Sequence, residues 1–377
     1  MVTLILCHLS PVRLRTIPWK QWPEWSAVWS ELAAACRHDS VFLSAPWIRT
    51  WLAVYGEELA PELIFFREGE VVTGGCVLVR RQRAHGVPLR SVYLNCAGED
   101  DADSTYIEYN ALVARPESEE RVAEALAAHV QSLGWDRFMI AGAVPQPALD
   151  RLAGLLGQFE TDSRPCHYVD LARLRREGMP YAKAVSGKTR KENNFTRRAF
   201  EQTYGGACVM EQAASSTEAE QYFRQLGELH NASWQARDKA GMFTSAKFLA
   251  FHSRLISELL GEGQILLLRL RAGDTVLAVL YCLLYKRRAY FYQSGLRYSE
   301  DKRLRPGFLA LTLAIEHLYP REDIDEFDFL AGDDQYKKSL STDVRELRWT
   351  TVWAPSISSG AFRALKYIKG AIESHVG

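Results

Sequence analysis

The chain has 377 residues, with 46 Lys plus Arg against 46 Asp plus Glu, so its formal net charge is zero. That length exceeds what one hydrophobic core serves, and a hydrophobic content of 47% is enough to fill two. Neutrality excludes a surface built mainly to coat nucleic acid or an anionic membrane, while leaving room for a local patch.

The opening stretch, Met1 to Ser10, has too short an apolar run and no basic leader for a signal peptide. No segment approaches the roughly 18 apolar residues of a spanning helix, so a cytoplasmic location is expected. The cysteines at 7, 36, 76, 96, 166, 208 and 282 are scattered, and several lie inside apolar runs. They read as small core residues, with neither a disulfide framework nor a metal site.

Residues 1–40 form an entry segment with Trp19, Trp22, Trp25 and Trp29 at three- and four-residue spacing, a core-facing stripe. A first α/β unit is expected over 41–165. In it, Leu63–Glu70 and Val71–Val79 are apolar runs around a Gly turn, a hairpin signal. The acidic loop Glu99–Asp103 follows, then a helix over Glu119–Leu133 and a strand over Trp135–Gly142. The stretch Asp162–Pro165 reads as a boundary.

A second unit is expected over 166–354. Near its start, Ala182–Thr189 loosely resembles a phosphate-binding loop. It lacks the first glycine and follows a charged, helix-like stretch where a buried strand is needed, so nucleotide hydrolysis is set aside. The same stretch begins a helix with Lys188, Arg190, Lys191, Arg197 and Arg198. Two readings of these cations stand, a solvated face and a contact with an anion such as a phosphate-bearing substrate or a nucleic-acid backbone. Further on, His230, Trp234 and Arg237 fall at i, i+4 and i+7, on one helix face.

Hairpin, helix and strand then recur: Ile265–Asp274 with Thr275–Leu284, Phe308–Leu318, and Ile324–Gly332, with an Arg-x-Gly-acid turn in both hairpins (Arg67–Glu70 and Arg271–Asp274). The expected fold is therefore α/β (α+β), a duplicated unit in which a mixed, largely antiparallel sheet is flanked by helices. After Pro355, residues 355–377 suit an amphipathic helix, either docked on the body or in peripheral contact with a membrane.

The second copy ends in Asp328-Phe-Leu-Ala-Gly332-Asp333-Asp334-Gln-Tyr336-Lys337-Lys338. This run follows a strand, at the kind of edge where α/β sheets open toward ligands. Asp328, Asp333 and Asp334 are candidate bases, because clustered carboxylates raise one another's pKa toward neutrality. Lys337 is a candidate holder of a substrate anion.

Five motifs in order carry a family resemblance: Phe42–Trp51, the Ser186–Arg190 helix start, His230–Arg237 with Gly241–Phe243, Arg305–Phe308, and Phe327–Lys337. Together they resemble the GNAT-superfamily acetyltransferase-like proteins associated with bacterial cellulose and exopolysaccharide synthesis, relatives of the Fem-type aminoacyltransferases. The resemblance implies two tandem GNAT-like units. It implies acetyl-CoA or another acyl-CoA as co-substrate, without metal, its pyrophosphate held at Gln293, Gly295, Arg305, Pro306, Gly307 and Phe308. It also implies Tyr336 as proton donor to the leaving thiolate, with Asp328 and Asp333 in catalysis and His230, Trp234, Arg237 and Lys337 toward the acceptor. The first copy has no Arg-x-Gly before its helix and is expected to wall the cleft without catalysing.

The activity so implied is transfer of an acyl group to an amine or hydroxyl of a small sugar- or amino-acid-like acceptor, in envelope or exopolysaccharide metabolism. Two alternatives remain open: a Fem-like transferase using aminoacyl-tRNA, and a non-catalytic scaffold.

Overall fold

The computed structural model describes residues 12–84, 87–356, 359–360 and 362. Cys7 and most of the helix expected over 355–377 lie outside them. The chain divides into two compact units. One holds the described residues up to 100, 104–163 and those from 347 on; the other holds 101–103 and 164–346.

In chain order the first unit contains β1 (Arg13–Pro18), α1 (Trp22–Ala35), α2 (Ala45–Leu59), β2 (Glu62–Glu68), β3 (Val71–Ala84), β4 (Val87–Leu94), β5 (Val113–Ala114), α3 (Glu119–Ser132), β6 (Arg137–Ala143), α4 (Pro147–Leu156) and the start of β7 (Gln158–Asp170). The sequence dictates these elements locally. Gly69, at φ +60°, turns the β2–β3 hairpin, and Ser44 caps α2 by accepting the Trp47 N–H. Val122, Ala123, Leu126, Ala127 and Val130, at helical spacing, lay α3 on Ile64, Phe66, Leu78 and Phe138. The tryptophan stripe is core material: Trp22 and Trp29 are buried, and Trp25 stacks on Phe65 with ring centroids 4.5 Å apart.

Strands β1 to β4 pair antiparallel in succession, whereas β4 runs parallel to β6 over only three residues, Ser91–Tyr93 against Arg137–Met139. Beyond that short ladder the first unit fills the widening gap with its own chain. Asn110 donates its N–H to Gly142 O and accepts the Val144 N–H, both at 3.1 Å. The Asn95 amide reaches Asn110 Oδ1 at 2.6 Å and Ala111 O at 3.0 Å. Both asparagines are fully buried, so their amides must pair with each other and with main chain.

The second unit contains the rest of β7, α5 (Leu171–Arg176), α6 (Tyr181–Ala184), α7 (Gly187–Tyr204), β8 (Cys208–Gln212), α8 (Ser216–Gln235), α9 (Ala246–Leu259), β9 (Ile265–Ala272), β10 (Thr275–Tyr285), β11 (Arg288–Leu296), α10 (Pro306–Leu318), β12 (Glu326–Ala331), α11 (Gln335–Leu340) and the start of β13 (Asp343–Trp353). The order of hairpin, third strand, helix and parallel fourth strand repeats that of the first unit. β9, β10 and β11 pair antiparallel, and β11 runs parallel to β12 over Arg288–Tyr290 against Glu326–Asp328. The stretch 182–189 is no phosphate loop, since helix α6 runs into it and Ser186 caps α7 through the Thr189 N–H. One boundary differs from the sequence reading, because β13 pairs from Arg348 to Trp353 with β6 of the first unit. Val352 is part of that unit's core, which is why the strand ends there.

Two features of the second unit carry consequences for stability. A Cβ on Gly295 would lie 2.3 Å from the Leu226 carbonyl oxygen of α8. Main chain cannot swing aside as a side chain can, so Gly295→Ala is expected to destabilise the protein by about 1–3 kcal/mol in urea unfolding. His252 of α9 is fully buried with neither ring nitrogen hydrogen-bonded. It sits against Phe248 at 4.3 Å, Phe251 at 4.9 Å and Tyr281 at 5.5 Å between ring centroids. Burial pushes its pKa down to about 3. The unfolded chain therefore takes up a proton at this residue near pH 6.5 that the native state refuses until about pH 3. Stability falls between those values at up to about 1.4 kcal/mol per pH unit. His252→Phe should flatten that acid limb, read as unfolding free energy against pH.

Candidate active site

A cavity of about 470 Å³ in the second unit lies along β11 beyond its last pair with β12. Its apolar wall is Leu280, Phe291, Leu296, Leu304, Phe308 and Leu311, and Tyr336 of α11 also faces it. Tyr298, Asp301, Lys302 and Arg305 supply its polar and charged lining. The pairing of β10 with β11 slips by one residue, so Tyr292 is left over as a bulge just where β11 leaves β12.

The start of α10 lies in the same wall. Pro306 occupies the first turn, where its missing N–H costs nothing, no side chain caps the end, and the first turn carries no acid. The first intrahelical bond is Leu309 N–H to Arg305 O, 3.2 Å, so the Gly307 and Phe308 amides precede it. A helix start of this kind favours an anion through its free N–H groups and its dipole. Arg305 lies over the Phe308 ring at 4.5 Å and pairs with Glu192 at 3.2 Å. Arg305, Pro306, Gly307 and Phe308 all line the cavity; Gln293 and Gly295 flank the lining residue Ser294 without lining it.

The terminal polar cluster separates into residues with different surroundings. Tyr336 faces the cavity, and its phenol pKa is raised, first by burial and then by the nearby Asp334 and Tyr298. Asp328 is fully buried. It alternates with Phe327 and Phe329, which belong to the core on the cavity side, so its carboxylate points through the opposite face. There Oδ1 accepts the Leu330 N–H at 2.8 Å and the Cys166 thiol at 3.3 Å. Leu330 has φ +58°, a backbone state disfavoured for a branched side chain, and the Asp328 carboxylate holds it.

Lys337 is likewise turned inward. Its ammonium donates to Ala331 O at 2.5 Å and Leu330 O at 3.3 Å, and it lies 2.8 Å from where a Cβ on Gly332 would sit. It binds the bulge and is not presented to a substrate anion. Asp333 is exposed, 2.7 Å from Lys338 and 3.9 Å from His167. The Lys338 ammonium, ahead of other causes, lowers its pKa, the reverse of the mutual elevation expected of clustered carboxylates. Of the residues singled out in this cluster, the structure brings only Tyr336 together with the helix start.

His230, Trp234 and Arg237 gather at the end of α8. That helix packs on the sheet face opposite the cavity, where Phe223 meets Tyr281 at 6.0 Å. His230 Nδ1 lies 3.3 Å from the carbonyl of Ser294, whose residue lines the cavity. Its ring packs on Phe243 at 5.0 Å and Trp234 at 5.8 Å, and burial lowers its pKa. Arg237 reaches over the ring of Tyr298, a cavity residue, at 5.4 Å. Tyr298, Asp301 and Lys302 were not singled out from the sequence. Their only signal there is position, in the polar stretch between β11 and Arg305.

Residues 187–338 match the model of the Acetyltransferase (GNAT) domain, less than half of the chain. Among solved structures, FemX aligns with TM-score 0.56 at 8% identity, over 86% of this chain and 95% of that one. L-PGS from Bacillus licheniformis aligns with TM-score 0.50 at 12% identity, over 89% and 92%. No curated protein matches the chain. At such low identity the solved structures speak for the fold alone, two tandem GNAT-like units. The matched domain lies in the second unit and gives its class, an acyltransferase of the GNAT type.

The division of labour in the cluster is measurable by urea unfolding. Asp328→Ala removes the acceptor of a buried N–H and is expected to cost about 1–3 kcal/mol. Tyr336→Phe, whose hydroxyl faces the cavity, should stay within about 0.5 kcal/mol of the parent.

Proposed function

We propose that the second unit transfers an acyl group from acyl-CoA to an amine or hydroxyl of a small sugar- or amino-acid-like acceptor. The observation that carries this reading is the uncapped start of α10 opening into the same cavity as Tyr336. The residues present fit such a donor: the Gly307 and Phe308 amides with Arg305 and Lys302 suit its phosphates, and the apolar wall suits its pantetheine chain. Acyl-CoA supplies an activated acyl carbon and a thiolate leaving group.

The residues then have distinct tasks. Backbone N–H groups of β11 beyond Tyr290, freed from the parallel ladder, are the donors for the thioester carbonyl. As the acceptor nitrogen attacks, a C–N bond forms and the C–S bond breaks, and the Tyr336 phenol protonates the leaving sulfur. The acceptor's ammonium proton leaves through the solvated carboxylates of the Asp333–Asp334 loop. His230, Trp234 and Arg237 approach from the other side of β11 and form the acceptor side. Asp328 and Lys337 position Tyr336 by holding the bulge that precedes α11.

The first unit is not a second catalyst. Residues 110–111 occupy its gap, and its helix α3 begins with Glu119 and Glu120 just after Glu117, a start that repels phosphate. Resemblance to exopolysaccharide-associated proteins favours an acceptor from envelope or exopolysaccharide metabolism. An aminoacyl-tRNA donor is the second reading, for which the exposed cations of α7 are a partial footprint only.

Thermal unfolding in the presence of acetyl-CoA, longer acyl-CoAs and free CoA tests the main reading. A saturating ligand at a hundredfold excess over Kd is expected to add about 2.7 kcal/mol of stability. Gly307→Glu, which places a carboxylate at the helix start, should abolish the shift. Tyr336→Phe should keep the shift and lose about 10²–10⁴-fold in turnover. No stabilisation by any of these thioesters would overturn an acyl-CoA donor.

A further inference from the structure

Helix α7 presents Lys188, Lys191, Phe195 and Arg198 at i, i+3, i+7 and i+10, a single stripe along its outer side. All four are exposed, and Phe195 keeps 57% of its surface open. The opposite side of the helix is buried through Thr189, Asn193, Thr196 and Phe200. Three other arginines of the unit are spoken for: Arg190 donates to the Ala182 and Val185 carbonyls, and Arg269 and Arg271 hold Glu211. The stripe's own three cations have no acid partner among the described residues. Other residues of the helix, outside the stripe, meet the cavity lining or its neighbours. Thr196 Oγ1 donates to Arg303 O at 3.1 Å, and Glu192 pairs with Arg305, a residue of that lining.

We propose that this face of α7 docks an acidic carrier protein that presents the acyl thioester on a phosphopantetheine arm, with the arm entering the cavity beside α10. The proposal rests on the acyl-transfer reading and names the form in which the donor arrives. Three unpaired cations around one exposed aromatic ring make a small apolar centre with a charged rim, the anatomy of a protein interface. The stripe runs for only about 15 Å at 1.5 Å per residue, the span of one facing helix. A nucleic-acid backbone asks for a longer basic track, and the chain's net charge is zero. The chemistry balances as with acyl-CoA: the C–S bond of the carrier thioester breaks, the C–N bond to the acceptor forms, and the carrier leaves with a free thiol protonated by Tyr336.

The test is a direct titration of the full chain with an acyl carrier protein in apo, holo and acetyl-loaded forms, by fluorescence anisotropy at low and high salt. Saturable, salt-sensitive binding is expected. The K188E/K191E/R198E variant should weaken it at least about tenfold, while acyl-CoA still raises the variant's thermal stability as it does the parent's. F195A, which alters no charge, should weaken carrier binding in the same direction and guards against a misfolded triple variant.

Absence of carrier binding at low salt overturns the proposal, as does equal binding by parent and triple variant. An equal loss of acyl-CoA binding in the triple variant overturns it too, because the substitutions would then act on the cavity. So does binding of single-stranded RNA, in place of the carrier, that the triple variant abolishes. If the parent binds carrier through α7 and ignores free acyl-CoA, the docking proposal stands and the free-CoA donor falls.

Discussion

The second unit is organised by one constraint on main-chain hydrogen bonding. β11 and β12 share three residue pairs and then part, and every N–H and C=O beyond that point needs another partner or an accessible space. The structure meets the demand in two ways. On the β12 side the chain bulges, with Leu330 at positive φ; Asp328 takes the Leu330 N–H, and Lys337 takes the Leu330 and Ala331 carbonyls. On the β11 side Tyr292 bulges, and the strand runs on along the cavity. A carboxylate and an amine with the look of reagents thus satisfy main chain where β12 bulges against β7.

The first unit faces the same constraint and resolves it oppositely. Its parallel pair is also three residues long, but Asn110 bonds to the end of β6 and the buried Asn95 amide locks it there. Here the groups at the end of the ladder are paired internally. The helix that follows begins with acids where α10 begins with none. Duplication has therefore kept the scaffold twice, and at this point the two copies differ in a handful of side chains and one re-routed loop.

The duplication was legible in the sequence because its signals are local. Gly69 and Gly273 both sit at positive φ in hairpin turns, and the strands around them alternate as pleated chains must. The start of α10 was legible for a similar reason, since Pro306 marks a first helical turn. The terminal cluster was harder. Asp328 lies between two phenylalanines in a strand, and period-two alternation alone assigns it to the face opposite theirs. Grouping Asp328 with Asp333 and Asp334 as clustered carboxylates passes over that rule. The positive φ at Leu330 has no signal, because a leucine there is a cost carried by tertiary contacts. Nor does any local pattern announce that Asn110 closes a gap beside a strand thirty-odd residues later, or that the second half of β13 completes the first unit's core.

The state of Tyr336 bears on how the chemistry divides across the site. A phenol whose pKa is raised by burial and by nearby acidic groups stays protonated throughout the physiological range, so it cannot be the base. It can lend a hydrogen bond to the sulfur as charge develops there and give up its proton as the C–S bond opens. Its proton must be restored from the side where the acceptor loses one, and that side carries the carboxylates. Asp333, held ionised by Lys338 and exposed, is a poor trap for a proton but a good relay to solvent. A dry acid facing the cavity and a wet anionic loop beside it separate proton donation from proton removal. In the proposed transfer that division stands in for a histidine, which is not among the residues that line the cavity.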